Sequence, residues 1–349
     1  FLKSAKQSQP LAMFMVGSLL FDNLLHYKLY QNLIKDSQNE KISEQTEAIP
    51  LYKESAENYF AKREGYKWMW RSALGDVHFE NSDFCVLPDR EMWEVKEKEK
   101  QCGYAWYDLG ILFTNGCKEL ELKSDYEKAK EILEIAANRF SLPAAEFLLG
   151  RIDWDQVWEN TPLEERIELP AIKRILNAAN KGNNEAMYFL AVAFYHNLLT
   201  DEDRMQKAED WMHKAANKRN RSALHALGSW YMQGTVVEKD LIRAFRYYKL
   251  ATEPGEDETS FSREEEAIVY TTLGVCYFKG LGTPQDEVLA FGCYQKAAEL
   301  GSAGACYNIA HMLRNGIGVA ENKKSALYYE KKGNELSKAK NDGQPTVQQ

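Results

Sequence analysis

Small and apolar residues recur along this chain in two alternating patterns, each with the spacing of one helix face. A single junction shows both. Ala208 is followed by Ala215-Ala216, and seven residues later Ala223 opens a second run through Leu227-Gly228 to Tyr231. Offsets of 4, 7 and 8 return to the same side of a helix. A small residue there lets a neighbouring backbone approach, and the large residue beside it fills the remaining space. The two patterns therefore predict a helix A with a Leu-Gly mark and a helix B with an Ala-Ala mark.

Both marks repeat. The B mark recurs at Ala129/Ala136-Ala137, Ala171/Ala178-Ala179, Ala208/Ala215-Ala216 and Ala290/Ala297-Ala298, with weaker copies at Ala48/Ser55-Ala56, Ala244/Ala251-Thr252 and Ala326/Gly333. The A mark falls at Val16-Gly17, Leu74-Gly75, Leu109-Gly110, Leu149-Gly150, Leu190-Ala191, Leu227-Gly228, Leu273-Gly274 and Ile309-Ala310. After a first interval of 58, the steps are 35, 40, 41, 37, 46 and 36 residues. Turn signals agree. Gly280-Leu-Gly282 and Gly316-Ile-Gly318 follow helix A, where glycine accepts a left-handed backbone. Asp125 and Asp240 are expected N-caps, and Pro10 and Pro143 are expected to open helices. A two-helix unit cannot bury its apolar face alone, but a stack of them can.

The run Ala-x3-Leu-Gly-x2-Tyr-x2-Gly-x-Gly-Val, a polar turn, then Lys-Ala-x2-Tyr-x3-Ala-Ala-x2-Gly resembles the Sel-1-like repeat of the tetratricopeptide superfamily. Residues 269–301 and 305–333 resemble it closely, residues 100–252 with short or altered turns, and residues 10–100 weakly. The resemblance implies an all-α fold: an α-solenoid of about seven to eight stacked antiparallel helix pairs forming a right-handed superhelix. Residues 1–100 read as degenerate repeats with a polar insertion near 35–49. Residues 101–340 read as regular repeats with an acidic insertion near 253–266, and residues 341–349 as a disordered tail. Phe1–Ala5 resembles the end of a helix B, so the chain is expected to begin in mid-repeat and to belong to a longer protein.

Composition narrows the function. The 349 residues carry a net charge of −8, and 44% are apolar. That supplies a substantial core but no basic footprint for nucleic acid. The most apolar stretch, Leu11–Phe21, is about half the roughly 20 residues a membrane span needs. The six cysteines, at positions 85, 102, 117, 276, 293 and 306, form no C-x-x-C pair. They read as free thiols in a reducing compartment, cytoplasmic by default. A mitochondrial or endoplasmic-reticulum address on a missing N-terminus is the alternative.

No catalytic constellation emerges. None of the six histidines has metal-ligand spacing, and there is no G-x-S-x-G elbow and no Walker loop. The Gly-x-Gly turns end helices, whereas a dinucleotide loop begins one. The expectation is a non-enzyme with no cofactor and no metal site. Most of the eight tryptophans sit at core spacing within the repeats.

In tetratricopeptide-type repeats helix A lines the concave face, and the resemblance carries that face over by position. It selects Tyr107, Thr114 and Asn115; Tyr188, Tyr195 and His196; His225 and Gln233; and Tyr307, His311, Arg314 and Asn315. This polar and aromatic mix suits a protein partner. The expected role is a scaffold or adaptor, a structural or assembly subunit of a hetero-complex that holds a segment or helix of another protein. The alternative is a non-catalytic regulatory region of a longer protein, such as an endoplasmic-reticulum degradation adaptor. The acidic insertion reads as a solvated loop, or as a docking loop for a basic partner.

Overall fold

The computed structural model of the protein describes residues 66, 69, 73, 102–117, 122–253 and 262–341. The expected insertion near 35–49, the tail from 342 and the apolar stretch at 11–21 lie outside the described residues. Two compact units can be distinguished, one of residues 1–160 and 170–181, the other of residues 161–169 and 182–349.

In the first unit, α1 (Gly103–Asn115) folds back on α2 (Tyr126–Glu134), and α3 (Pro143–Val157) on α4 (Pro170–Asn180). Trp106, Leu109, Phe113, Ile132, Leu133 and Leu149 are buried between them. Each such side chain contributes roughly 1.5–3 kcal/mol on leaving water. The Leu-Gly mark marks the place where two helices come closest. A Cβ on Gly110 would run into Leu133 of α2, and one on Gly150 would lie 2.7 Å from Ile175 Cγ1 of α4. Asp125 caps α2 by accepting from the Lys128 N–H at 3.1 Å, and Pro143 opens α3. Beyond α2 the chain continues as a π-helical turn, Ile135–Arg139, which keeps Ala136 buried.

In the second unit four pairs follow one another: α5 (Asn184–Tyr195) with α6 (Arg204–Asn217), α7 (Arg221–Gln233) with α8 (Leu241–Ala251), α9 (Arg263–Lys279) with α10 (Glu287–Glu299), and α11 (Ala303–Asn315) with α12 (Lys323–Asn341). The glycine contact recurs here with a ring in place of an aliphatic chain. Cβ atoms on Gly228 and Gly274 would each lie 2.6 Å from the rings of Tyr248 and Tyr294. The filling residue always stands four positions after the first alanine of helix B: Leu133, Ile175, Tyr248, Tyr294. Helix A carries alanine instead at Ala191 and Ala310, and the same register then holds Met212 and Glu330.

Caps are regular. Asp240 and Asp286 accept from the N–H groups of Arg243 and Leu289 at 2.9 Å, and Asn220 and Ser302 accept from Ala223 and Ala305 at 2.8 and 3.2 Å. Gly280 and Gly316 end α9 and α11 in the left-handed conformation, as their positions predict. The second glycine of each turn has a separate role. Gly282 lies against the Leu241 carbonyl and Gly318 against the Glu287 backbone, so each touches the first residue of the preceding helix B. The acidic insertion is shorter than its composition suggests. Ser262 and Glu265 form a reciprocal capping box, and Glu264, Glu265 and Glu266 are the first turn of α9 rather than loop.

Candidate partner-binding face

The A helices of the second unit are held side by side by contacts near their N-terminal ends. Asn220 donates to Glu185 at 2.6 Å, joining α7 to α5. Ser222 donates to Glu265 at 3.2 Å and Arg221 pairs with Glu266 at 3.0 Å, joining α7 to α9. Thr271 and Ser302 share a hydroxyl contact of 3.1 Å, joining α9 to the cap of α11. Four helix-A surfaces thereby form one row.

Tyr188 and His225 stand at equivalent positions on α5 and α7, and both are half-buried. Burial pushes the Tyr188 hydroxyl up, with the Glu265 and Glu185 carboxylates adding to the effect. Burial holds the His225 imidazole below its ordinary value, with Glu265 opposing. Glu265 thus acts on both, and His225 also packs 5.7 Å from the Tyr248 ring. At the other end of the row, Tyr195 lies 5.2 Å from Trp230 of α7 and 4.9 Å from exposed His196. Gln233 is exposed at the end of α7.

On α11 the selected residues turn toward their own repeat. The Tyr307 hydroxyl donates to Asn334 at 3.0 Å, and its ring packs on Gly333 of α12. Arg314 pairs with Glu330 at 2.5 Å, and Asn315 donates to the His311 carbonyl at 2.9 Å. His311 is exposed. In the first unit Tyr107 packs partly into the core, Thr114 bonds the Gly110 carbonyl at 2.8 Å, and Asn115 is exposed. Tyr188, Tyr195, His196, His225 and Gln233 are therefore brought onto adjoining helices.

Positional reasoning missed Glu265, Glu266 and Ser222. Their signal was the Ser262-x-x-Glu265 capping box, which places the end of the acidic segment on α9. Among the described residues no group of histidine, cysteine and acidic side chains has the arrangement of a metal site. Burial pushes the Cys276 and Cys293 thiols up to about 11, which keeps them protonated and poor as nucleophiles. Among the described residues no helix is long and apolar enough to cross a membrane.

The sequence model of the Sel1 repeat matches residues 104–139, 184–220, 221–255, 272–302 and 303–336. The matched segments include five of the six described helix pairs and pass over α3–α4, which has the same glycine contact. Two solved structures share the fold. A Sel1 repeat protein from Oxalobacter formigenes is 21% identical over 67% of this chain and 84% of its own, with a TM-score of 0.51. A protective antigen of uropathogenic Escherichia coli, displaying an SLR fold, is 19% identical over 97% of this chain, with a TM-score of 0.55. This chain spans 56% of that antigen's length. Repeats of this kind generally mediate protein–protein interaction. Two alternating helix marks, helix pairs closed by glycine contacts, and five matched repeats lead to one conclusion: the chain belongs to the Sel1-repeat proteins.

Proposed function

We propose that the chain is a non-catalytic scaffold or adaptor, and that the row of A helices α5, α7 and α9 holds an extended segment or helix of another protein within a hetero-complex. The supporting observation is the juxtaposition along that row. Half-buried Tyr188 and His225 form a semi-apolar floor, while Tyr195, His196 and Gln233 supply aromatic and polar groups at the opposite end. Aromatic anchors beside exposed hydrogen-bonding groups are what protein interfaces favour. Tyr307, Arg314 and Asn315 contribute less, because their polar atoms are engaged within α11–α12. Tyr107 and Asn115 mark the corresponding face of α1.

The test is photo-crosslinking of full-length protein in its native lysate. A crosslinker at Gln233 on the row should capture a defined partner chain, and one at exposed Lys173 on α4 should not. Tyr188→Ala with His196→Ala should abolish the Gln233 crosslink while the far-ultraviolet circular dichroism is unchanged. Equal capture from both positions, or capture indifferent to the double substitution, would refute the reading.

A further inference from the structure

Gly110, Gly150, Gly228 and Gly274 are each explained by a packed side chain that a Cβ would strike. Gly292 is not. It stands in the middle of α10, is exposed, and a Cβ there would meet nothing within 4 Å. The same position carries Glu131, Lys173, Asp210 and Arg246 in α2, α4, α6 and α8. A glycine inside a helix weakens it, and no contact within the chain offsets that loss here. The notch lies one helical turn from Val288 and Leu289, which are 67% and 49% exposed. Ile242 holds in α8 the position that Val288 holds in α10 and is 57% exposed. The turn entering α10 lies against the Ile242 backbone. Both helices are inner members of the stack, α8 packed between α7 and α9, and α10 between α9 and α11.

The charge of this face is distinctive. α8 carries Arg243, Arg246 and Lys249 and no acidic residue, in a chain of net charge −8. Arg243 pairs with Asp240 at 3.2 Å, while Arg246 and Lys249 are exposed and have no ion-pair partner among the described residues. We propose that the outward face of α8 and α10 is a second docking site, separate from the row of A helices, for an acidic amphipathic helix of a partner protein. A bulky apolar side chain of that helix seats over Gly292 beside Val288 and Leu289, and its carboxylates lie against Arg246 and Lys249. Two observations select this occupant. A glycine that no internal contact requires admits close approach from outside, which a merely solvated face does not need. Unpaired cations beside exposed apolar side chains complement acidic groups flanking an apolar stripe. A lipid surface fits less well, because anchoring there takes clusters of about four to eight basic residues, and the net charge opposes approach to anionic lipid. The patch is small, so the dissociation constant should be on the order of 10–100 μM.

The test is fluorescence anisotropy of a labelled helical peptide, a leucine stripe flanked by glutamates, titrated with the full chain up to about 500 μM. Saturable binding is expected, with the lysine-flanked version of the same peptide at least about tenfold weaker. Arg246→Glu with Lys249→Glu should reverse that preference. Gly292→Gln fills the notch without changing charge. It should weaken binding at least about fivefold, the lower end of an overpacking cost, while raising the thermal midpoint through better helix propensity. That opposite movement separates a lost contact from a damaged fold. Tyr188→Ala with His196→Ala, on the A-helix row, should leave the affinity unchanged. No binding of the glutamate peptide, equal binding of both peptides, indifference to Gly292→Gln, or loss of binding in the Tyr188 and His196 variant would overturn the proposal. So would vesicles of phosphatidylserine and phosphatidylcholine that bind the chain and displace the peptide.

Discussion

The contact between Gly274 and Tyr294 permits a quantitative test of how each helix pair closes. A Cβ at residue 274 would lie 2.6 Å from the Tyr294 ring, about 1 Å inside ordinary carbon contact. Tyr294 is 3% exposed, so its ring has little room to withdraw. Gly274→Ala gains about 1 kcal/mol of helix propensity. It loses about 1–3 kcal/mol through overpacking. The balance is a destabilisation of up to about 2 kcal/mol, opposite in sign to what an exposed helical glycine would give. The pair Ala191 and Met212 occupies the same register in α5–α6 and indicates the remedy. Tyr294→Met alone leaves a void against Gly274, costing about 2 kcal/mol by analogy with other large-to-small changes. Combined with Gly274→Ala it should cost at least about 1 kcal/mol less than the sum of the singles, the coupling expected of residues in contact. Stacked repeats need not unfold as one unit. The assay is therefore amide hydrogen exchange in α9 and α10, with urea melts alongside. Strict additivity, or a Gly274→Ala variant more stable than the parent, would refute the reasoning.

Gly282→Ala should be worse, because its φ of 72° costs about 1–2 kcal/mol for any other L-residue and its Cβ would overlap the Leu241 carbonyl. The urea midpoint should fall by more than for Gly274→Ala. Arg219 is held at φ 60°, where the equivalent residues are Gly182 and Gly301, and it forms an exposed pair with Glu253 at 2.7 Å. Exposed pairs are worth about 0–1 kcal/mol, so Arg219→Gly should be neutral or stabilise by up to about 1 kcal/mol, read as a higher thermal midpoint. Burial holds His225 below the ordinary value of 6.5, so the unfolded chain binds its proton first. Stability should therefore be undiminished above that value and fall as pH drops below it. His225→Gln should flatten that limb of the profile between about pH 7 and 5, where an unperturbed histidine titrates.

Helix pairing was legible because its causes are local and periodic. Leu149-Gly150 and Ala178-Ala179 predict the α3–α4 pair even though the repeat model passes over it. Asp125 and Asp240 as caps, and Gly280 and Gly316 as helix ends, follow from short-range backbone chemistry. The candidate face was legible only in part. Position along helix A predicts that Tyr188, His225 and Tyr307 point to one side, but not what meets them there. Tyr307 meets α12, which runs on past Gly333 where other B helices turn. Glu265 joins Tyr188 and His225 because α9 is one turn longer than its counterparts, at 17 residues against 13 for α7 and α11. An acidic segment gives no measure of where a helix begins within it, and the capping box is a weak signal beside seven carboxylates between 253 and 266.

The backbone contacts of Gly282 and Gly318 also determine where this protein can be lengthened. After α9 and α11 the turn from helix A to helix B is pinned on the preceding repeat by main-chain atoms, so an added residue there would push two repeats apart. The opposite edge is joined by side chains instead, Arg221 donating to the Ala251 carbonyl at 2.8 Å and Arg263 to the Glu299 carbonyl at 3.0 Å, and long side chains can follow a shift of the loop. Between α10 and α11 the connection is three residues, Leu300–Ser302, whereas between α8 and α9 it is eleven, Thr252–Ser262, and both pairs still stack. Epitopes, fluorophores or whole domains should therefore be grafted at the B-to-A edge, where the stack already absorbs a length change of eight residues.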